Sequence, residues 1–388
     1  MDEEAEFDVV VVGGSLAGLL TARECALRGL NVMVLEEDLE VGSPEKCGGL
    51  VSAQGLLELG IIPKDEVLNR IETGTIISPN GSKLTINAGR QRLLVLSRRA
   101  LDKRAAEQAS EAGARLEVGR RVLEIRGGQV LTQSGAVSST WVVDAGGAYS
   151  YLRRKKGDVA RAVQCDAWAR GLDDKEVLVY IDQEATPGFF SWVIPLGDNM
   201  VRIGAASVGA SPAPAFERLV RRLDANVVKR VAAPLVTGGA LESFFIAPNQ
   251  LVVGDAAGQA KPTTAGGIFT SGMGGVLAGR ALGMSLKEGC EPGREYERAW
   301  LQRFGKEFKL MSLMRQVYRN LSNKQLEALI GMAKRAGIEH VEFELGSFDE
   351  HSRVIRRFIG MAGLSSILEL AGQALSALVP SLVKALFE

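Results

Sequence analysis

Gly13, Gly18 and Glu36 have the types and spacing of a site for a dinucleotide. In Gly13-Gly14-Ser15-Leu16-Ala17-Gly18 the first glycine permits a tight turn, and the last lets a helix pack close to a strand. Ser15, Leu16 and Ala17 then present N–H groups at a helix start, where the partial positive charge suits a pyrophosphate. Ser15 stands where glycine is usual and is small enough to keep the backbone near the phosphate. Glu36, 18 residues beyond Gly18, can accept hydrogen bonds from an adenosine ribose.

Three other groups could do chemistry. Asp255, in Gly254-Asp255-Ala256-Ala257-Gly258, is a carboxylate at a glycine turn, and Gly266-Gly267 ahead of Ile268 is backbone that a flat ring can approach. Cys47, in Pro44-x-x-Cys47-Gly48-Gly49, places a thiol beside two glycines. Such a thiol can supply a proton or tune a neighbouring redox group; the plain alternative is a small apolar residue in a tight loop. Phe190 and Trp192 alternate along an expected strand, so they share one face and Phe189 takes the other. That face can be an aromatic wall for an apolar chain, or ordinary sheet packing.

The elements that position these groups are readable. Val9 to Val12 is a buried strand, Leu19 to Arg28 a helix and Leu30 to Leu35 a second buried strand ending at Glu36, which makes a βαβ unit. Leu56 to Leu68 reads as helix, residues 71 to 96 as short strands turned at Asn80-Gly81, and Arg98 to Ala112 as helix. Trp141 to Asp144 is a further buried strand running into glycines. From about Ala160 to Leu241 mostly antiparallel strands are expected, interrupted by a helix near Ala215 to Leu223. The second glycine motif precedes a glycine- and alanine-rich helix from Gly266 to Lys287, and helices follow from Tyr296. The fold class is α/β: a discontinuous Rossmann-like domain (1–70, 97–155, 242–295), an inserted antiparallel β-sheet domain (71–96, 156–241) and a helical C-terminal region (296–388). A cofactor held by both ends of such a chain is large, which fits FAD better than NAD.

Composition narrows the function. The 388 residues hold 46 Lys+Arg against 46 Asp+Glu, so no net field draws nucleic acid. Cys25, Cys47, Cys165 and Cys290 are scattered, without the spacing of a zinc or iron–sulfur site, and read as free thiols in a reducing compartment. His340 and His351 lie away from every motif and are expected at the surface, so neither a metal site nor a nucleophilic triad is expected. The acidic start is not a signal peptide, and no apolar stretch approaches the roughly 18 residues of a membrane span. A cytoplasmic protein is expected. Arg153-Arg154-Lys155-Lys156 reads as a solvated basic turn. The apolar stripe Leu375 to Phe387 either packs on the protein or rests on the inner face of the membrane.

These motifs resemble the flavoprotein group containing para-hydroxybenzoate hydroxylase, and more closely the geranylgeranyl reductase family of archaea. Arg98-x-x-Leu101-Asp102 looks like the family segment whose arginine lies near FAD, and Asp144-Ala145-Gly146-Gly147 is similar to a further cofactor motif. The Asp255 motif with Pro262 and Gly266-Gly267-Ile268 resembles the second FAD motif, with Asp255 on the ribityl chain and the glycines against the flavin pyrimidine. The resemblance implies that Cys47, Gly48 and Gly49 lie beside the flavin. It also implies that Pro187 to Pro195, similar to the family's P-x-x-Y-x-W-x-F-P motif, lines the substrate site with Phe190, Trp192 and Pro195. The implied reaction is saturation of isolated double bonds in geranylgeranyl chains on an archaeal glycerol ether phospholipid. The implied electron donor is NAD(P)H or a reduced ferredoxin-like carrier, the latter an electron-donor protein partner. Alternatives on the same fold are a flavin monooxygenase, a halogenase, for which no lysine falls in a recognisable motif, or an electron-transfer flavoprotein.

Overall fold

The computed structural model describes residues 6–89, 93–152, 159–289, 291–340 and 348–363. Cys290, the basic run at 153–156 and the stripe from 375 onward lie outside them. Among the described residues, three sheets and the helices on them build the fold.

The first sheet grows from Phe7–Val12, whose valines are buried on both faces. It lies between Val32–Leu35 and Gly135–Asp144, parallel to both, with Val12 level with Leu35 and with Asp144. Arg115–Glu117 extends it in parallel on one side, and Gln250–Val252 on the other. The register brings three strand ends to one edge, where the Gly13, Glu36 and Ala145 turns meet. Gly18 is needed there for close approach: a Cβ on it would sit 2.2 Å from the Gly13 carbonyl oxygen. The fingerprint helix, Leu16–Ala26, is buried on every side. It packs on Ile268–Glu288, where a Cβ at Gly275 would lie 2.1 Å from the Ala17 carbonyl oxygen, so the glycines of that long helix let two backbones touch.

The second sheet is the floor of the site. Its seven strands run in the order Asn226–Val236, Val159–Trp168, Met200–Ser207, Phe190–Gly197, Glu176–Ile181, Thr73–Ile77 and Lys83–Asn87. All neighbours are antiparallel but one. Thr73–Ile77 joins in parallel with Glu176–Ile181, a pairing that links two distant stretches of chain and has no local signature. One face packs on the helix Ala213–Arg222 through Val163, Cys165, Val193, Ile203 and Phe216. The other, carrying Ala162, Gln164, Phe190, Trp192 and Ile194, looks into the molecule.

Two expectations about elements are corrected. Helix extends only over Ala53–Glu58, because Gly60 turns with φ +73° and Pro63 disfavours helix before it; Val67–Ile71 is a strand instead. It pairs with Leu93–Leu96, and Leu50–Ser52 completes that three-stranded sheet. Phe189 precedes the floor strand rather than pointing to its far face, and it stacks on Phe190 with ring centroids 4.3 Å apart.

The helix Pro292–Asn320 closes the structure. Tyr296, Trp300, Phe304 and Phe308 are buried around Phe244 and Phe269. The apolar stripe of this helix therefore packs on the dinucleotide-binding half of the chain.

Candidate functional site

A single cavity of about 1460 Å³ runs between the first sheet and the floor. Sites for one drug-sized ligand are usually about 300–1,000 Å³, so this one has room for a large cofactor and a second, apolar ligand.

At one end lies the βαβ turn. Ser15 is the N-cap of the fingerprint helix: its Oγ accepts from the Gly18 N–H at 3.4 Å and donates to the Ala145 carbonyl at 3.3 Å. The serine in place of glycine thus has a local task, while the first-turn amides of Leu16 and Ala17 have no intrahelical partner and line the cavity. Glu36 accepts from the N–H groups of Gly14 at 2.6 Å and Asp38 at 2.8 Å. Burial nonetheless raises its pKa above the ordinary carboxylate value, with those two bonds pulling the other way. A carboxylate has about four lone-pair sites, so two remain for ribose hydroxyls.

In the middle stand Gly48, Gly49, Arg98, Asp255, Gly266, Gly267 and Ile268, all on the cavity wall together with Cys47. Arg98 opens the helix Arg98–Glu111 and donates to Asp102 at 2.9 Å. Burial works against its charge, but Asp102 and the neighbouring Cys47 thiol hold the guanidinium above its ordinary pKa. Gly254, in the left-handed region at φ +66°, turns Asp255 toward the start of the long helix, where Ser271 Oγ donates to it at 3.4 Å. Asp144 is buried and organises the turn beside Gly13 by accepting from Gly146 N–H, Ser150 Oγ and Leu152 N–H at 2.8–2.9 Å. These residues fit FAD. A glycine turn without room for a Cβ, free helix amides, the Glu36 carboxylate with acceptor sites to spare and a second glycine turn face one cavity of sufficient length. Asp255→Ala should therefore weaken FAD binding about tenfold, on the roughly 1.5 kcal/mol of a hydrogen bond to a charged group. Flavin retained on gel filtration and in titration of the apoprotein, equal to wild type, would remove Asp255 from the site.

At the far end Phe190, Trp192 and Ile194 face the cavity, with Val177, Val179 and Val231 around them. Pro195 is corrected here. It lies on the opposite parity of the strand, does not reach the cavity, and gives its carbonyl to Asn69 Nδ2 at 3.1 Å.

The structure adds residues with no signal in the sequence. Lys261 is buried on the cavity wall, with Nζ 3.0 Å from the Phe348 carbonyl and 3.7 Å from Asp349 Oδ1. Burial lowers its pKa, and Asp349 pulls it back up. Ser52 Oγ donates to the same carboxylate. His351, expected at the surface, also lines the cavity and shares a hydrogen bond of 2.8 Å between its Nδ1 and Thr263 Oγ1; His340 is exposed.

Burial, and then the Lys261 ammonium, push the His351 pKa down to about 3. The unfolded chain takes up this proton near pH 6.5. The stability tied to a neutral imidazole is thus complete above about pH 6.5 and is lost as pH falls toward 3. His351→Gln, which keeps a partner for Thr263, should show a shallower fall of Tm across that window than wild type. Parallel curves would show that this imidazole does not control acid stability.

An FAD binding domain family matches residues 8–69. Digeranylgeranylglycerophospholipid reductase 2 of Methanopyrus kandleri is 30% identical over 367 residues, which cover 86% of this chain and 92% of that protein. Among solved structures, a geranylgeranyl bacteriochlorophyll reductase-like protein from Thermoplasma acidophilum superposes with a TM-score of 0.81 at 22% identity, covering 98% of this chain and 99% of that one. A flavin-dependent brominase matches with a TM-score of 0.68 at 17% identity, over 97% of this chain and 98% of that one. The discontinuous FAD-dependent α/β fold with a helical C-terminal region is thereby established, and the two structural likenesses carry the fold alone.

Proposed function

We propose a reaction from one premise: the chain belongs to the digeranylgeranylglycerophospholipid reductase family, and it is an FAD-dependent oxidoreductase. The reaction is saturation of isolated double bonds in the geranylgeranyl chains of an archaeal glycerol ether phospholipid. The observation that carries it is the single cavity joining the FAD cradle to the apolar floor at Phe190 and Trp192.

FAD, once bound and reduced, supplies a hydride to one alkene carbon. The chain's own residues do the rest. Gly13 to Gly18, Glu36 and Asp255 would hold the cofactor, and Gly266-Gly267 would offer bare backbone to its ring. Phe190, Trp192 and Ile194 exclude water along the prenyl chain, and the two aromatic rings offer π faces to positive charge developing at the carbon that takes the hydride as the proton adds to its neighbour. Cys47 holds that proton at Sγ, with the Arg98 guanidinium beside it.

Electrons reach FAD in this reading from NAD(P)H or a reduced ferredoxin-like protein. No helix among the described residues is long and apolar enough to cross a membrane. Because the substrate is a membrane lipid, the protein is taken to work against the inner face of the membrane from the cytoplasm. The test is anaerobic incubation of the dithionite-reduced holoenzyme with a geranylgeranyl glycerophospholipid, read by mass spectrometry. Hydrogen gained by the prenyl chains supports the reductase. Lipid recovered unchanged, with indole or phenol halogenated when oxygen and halide are supplied, would promote the halogenase alternative. The buried Lys261 at Gly266 is the observation that keeps that alternative in view.

A further inference from the structure

Arg202 is only 2% exposed, yet it carries a charge. Its Nε and Nη2 donate to the two carboxylate oxygens of Asp166 at 2.7 and 3.0 Å, from the neighbouring floor strand. Its Nη1 leaves the sheet and donates to the Cys47 carbonyl at 2.8 Å, with Glu45 Oε1 at 3.3 Å. Gln164 Nε2 adds a second bond to the Cys47 carbonyl at 3.3 Å. Glu45 in turn accepts from the Arg98 N–H at 2.8 Å, at the start of the helix that sets Arg98 beside the thiol. Burying a guanidinium gains little stability over an apolar side chain of similar volume. What this one supplies is geometry: a planar fork holds Asp166 with one edge and the loop with the other.

We propose that Arg202, oriented by Asp166, is a positioning residue that hangs the Cys47 loop from the substrate floor, with Gln164 as its second tie. The proposal rests on the reading of Cys47 as the proton donor. It means that a chain lying on Phe190 and Trp192 meets Sγ at a distance fixed by the floor itself, and not by the dinucleotide-binding half. Lysine cannot replace Arg202, because a single ammonium cannot serve Asp166 and the Cys47 carbonyl in one plane.

The experiment compares wild-type holoenzyme with Arg202→Met, Arg202→Lys and the milder Asp166→Asn. Iodoacetamide alkylation of Cys47 is followed by peptide mass spectrometry, alongside flavin absorbance and steady-state kinetics on a geranylgeranyl lipid. Arg202→Met should keep FAD, expose Cys47 to faster alkylation, and lose kcat about 10²-fold, the order expected for a misplaced group, with KM near wild type. Arg202→Lys should restore neither rate, and Asp166→Asn should move both in the same direction by less. Wild-type alkylation in folded, yellow Asp166→Asn or Arg202→Met would overturn the proposal. The alkylation result needs no lipid turnover. Faster alkylation in the variants, with lipid untouched even by wild type, would therefore uphold the clamp while the lipid reading fails.

Discussion

Cys47→Ala should hold a full complement of FAD and lose alkene reduction by roughly 10²–10⁴-fold, the contribution of a positioned general acid. That loss is about 3–5 kcal/mol of transition-state stabilisation. The side chain removed is small and partly exposed to the cavity, so little packing goes with it. The backbone of Gly48 and Gly49, which lines the cavity beside Cys47, is left in place by the substitution. The loop itself stays anchored through the Cys47 carbonyl, which does not depend on the side chain. Flavin absorbance and turnover of a geranylgeranyl lipid are measured on the same preparation. Unchanged turnover would make Cys47 a small residue filling a tight loop, and the proton would have to be sought at Lys261, whose ammonium lies on the same cavity wall.

The parts of this site that were legible in the sequence are those whose physics is local. Four valines, a glycine turn and a helix are consecutive, so the phosphate end can be drawn from residues 9–36 alone. The Asp255 turn and the Phe190–Trp192 alternation are local in the same sense. Pro195 was misassigned by one residue of parity, since period-2 patterning sends Ile194 inward and its neighbour outward. Arg202, Lys261 and His351 were not legible for a different reason. Arg202 and the Cys47 carbonyl are 155 residues apart, and Lys261 and Phe348 are 87 apart, so their partners exist only after the sheets pack. A lone arginine or lysine in a sequence reads as a solvated charge, because most are. The parallel pairing of Thr73–Ile77 with Glu176–Ile181 likewise joins stretches about a hundred residues apart and leaves no local pattern in the chain.

Trp192→Ala should weaken binding of a geranylgeranyl lipid by about 1.5–3 kcal/mol, the burial value of a large apolar side chain, or roughly 10–150-fold in affinity. The indole lies flat across Gly204, its directly opposed partner on the next floor strand. A Cβ at Gly204 would come within 2.2 Å of Trp192 Cε2, so the glycine is what allows the ring to lie down. Phe190 meets it edge-on at 6.1 Å, which fixes the ring from the other side. Gly204→Ala therefore supplies a second, opposite perturbation. It keeps the indole but tips it off the floor into the passage, where it blocks the chain. Both variants should hurt geranylgeranyl far more than geranyl substrates if Trp192 contacts the distal part of the chain. The measurement is the ratio of the two apparent affinities in wild type, Trp192→Ala and Gly204→Ala, taken by titration of the oxidised holoenzyme. An equal loss for both chain lengths would place Trp192 at the reacting carbons instead of the distal wall. No loss for either in Trp192→Ala would mean that the aromatic face is sheet packing and that the prenyl chain lies elsewhere in the cavity.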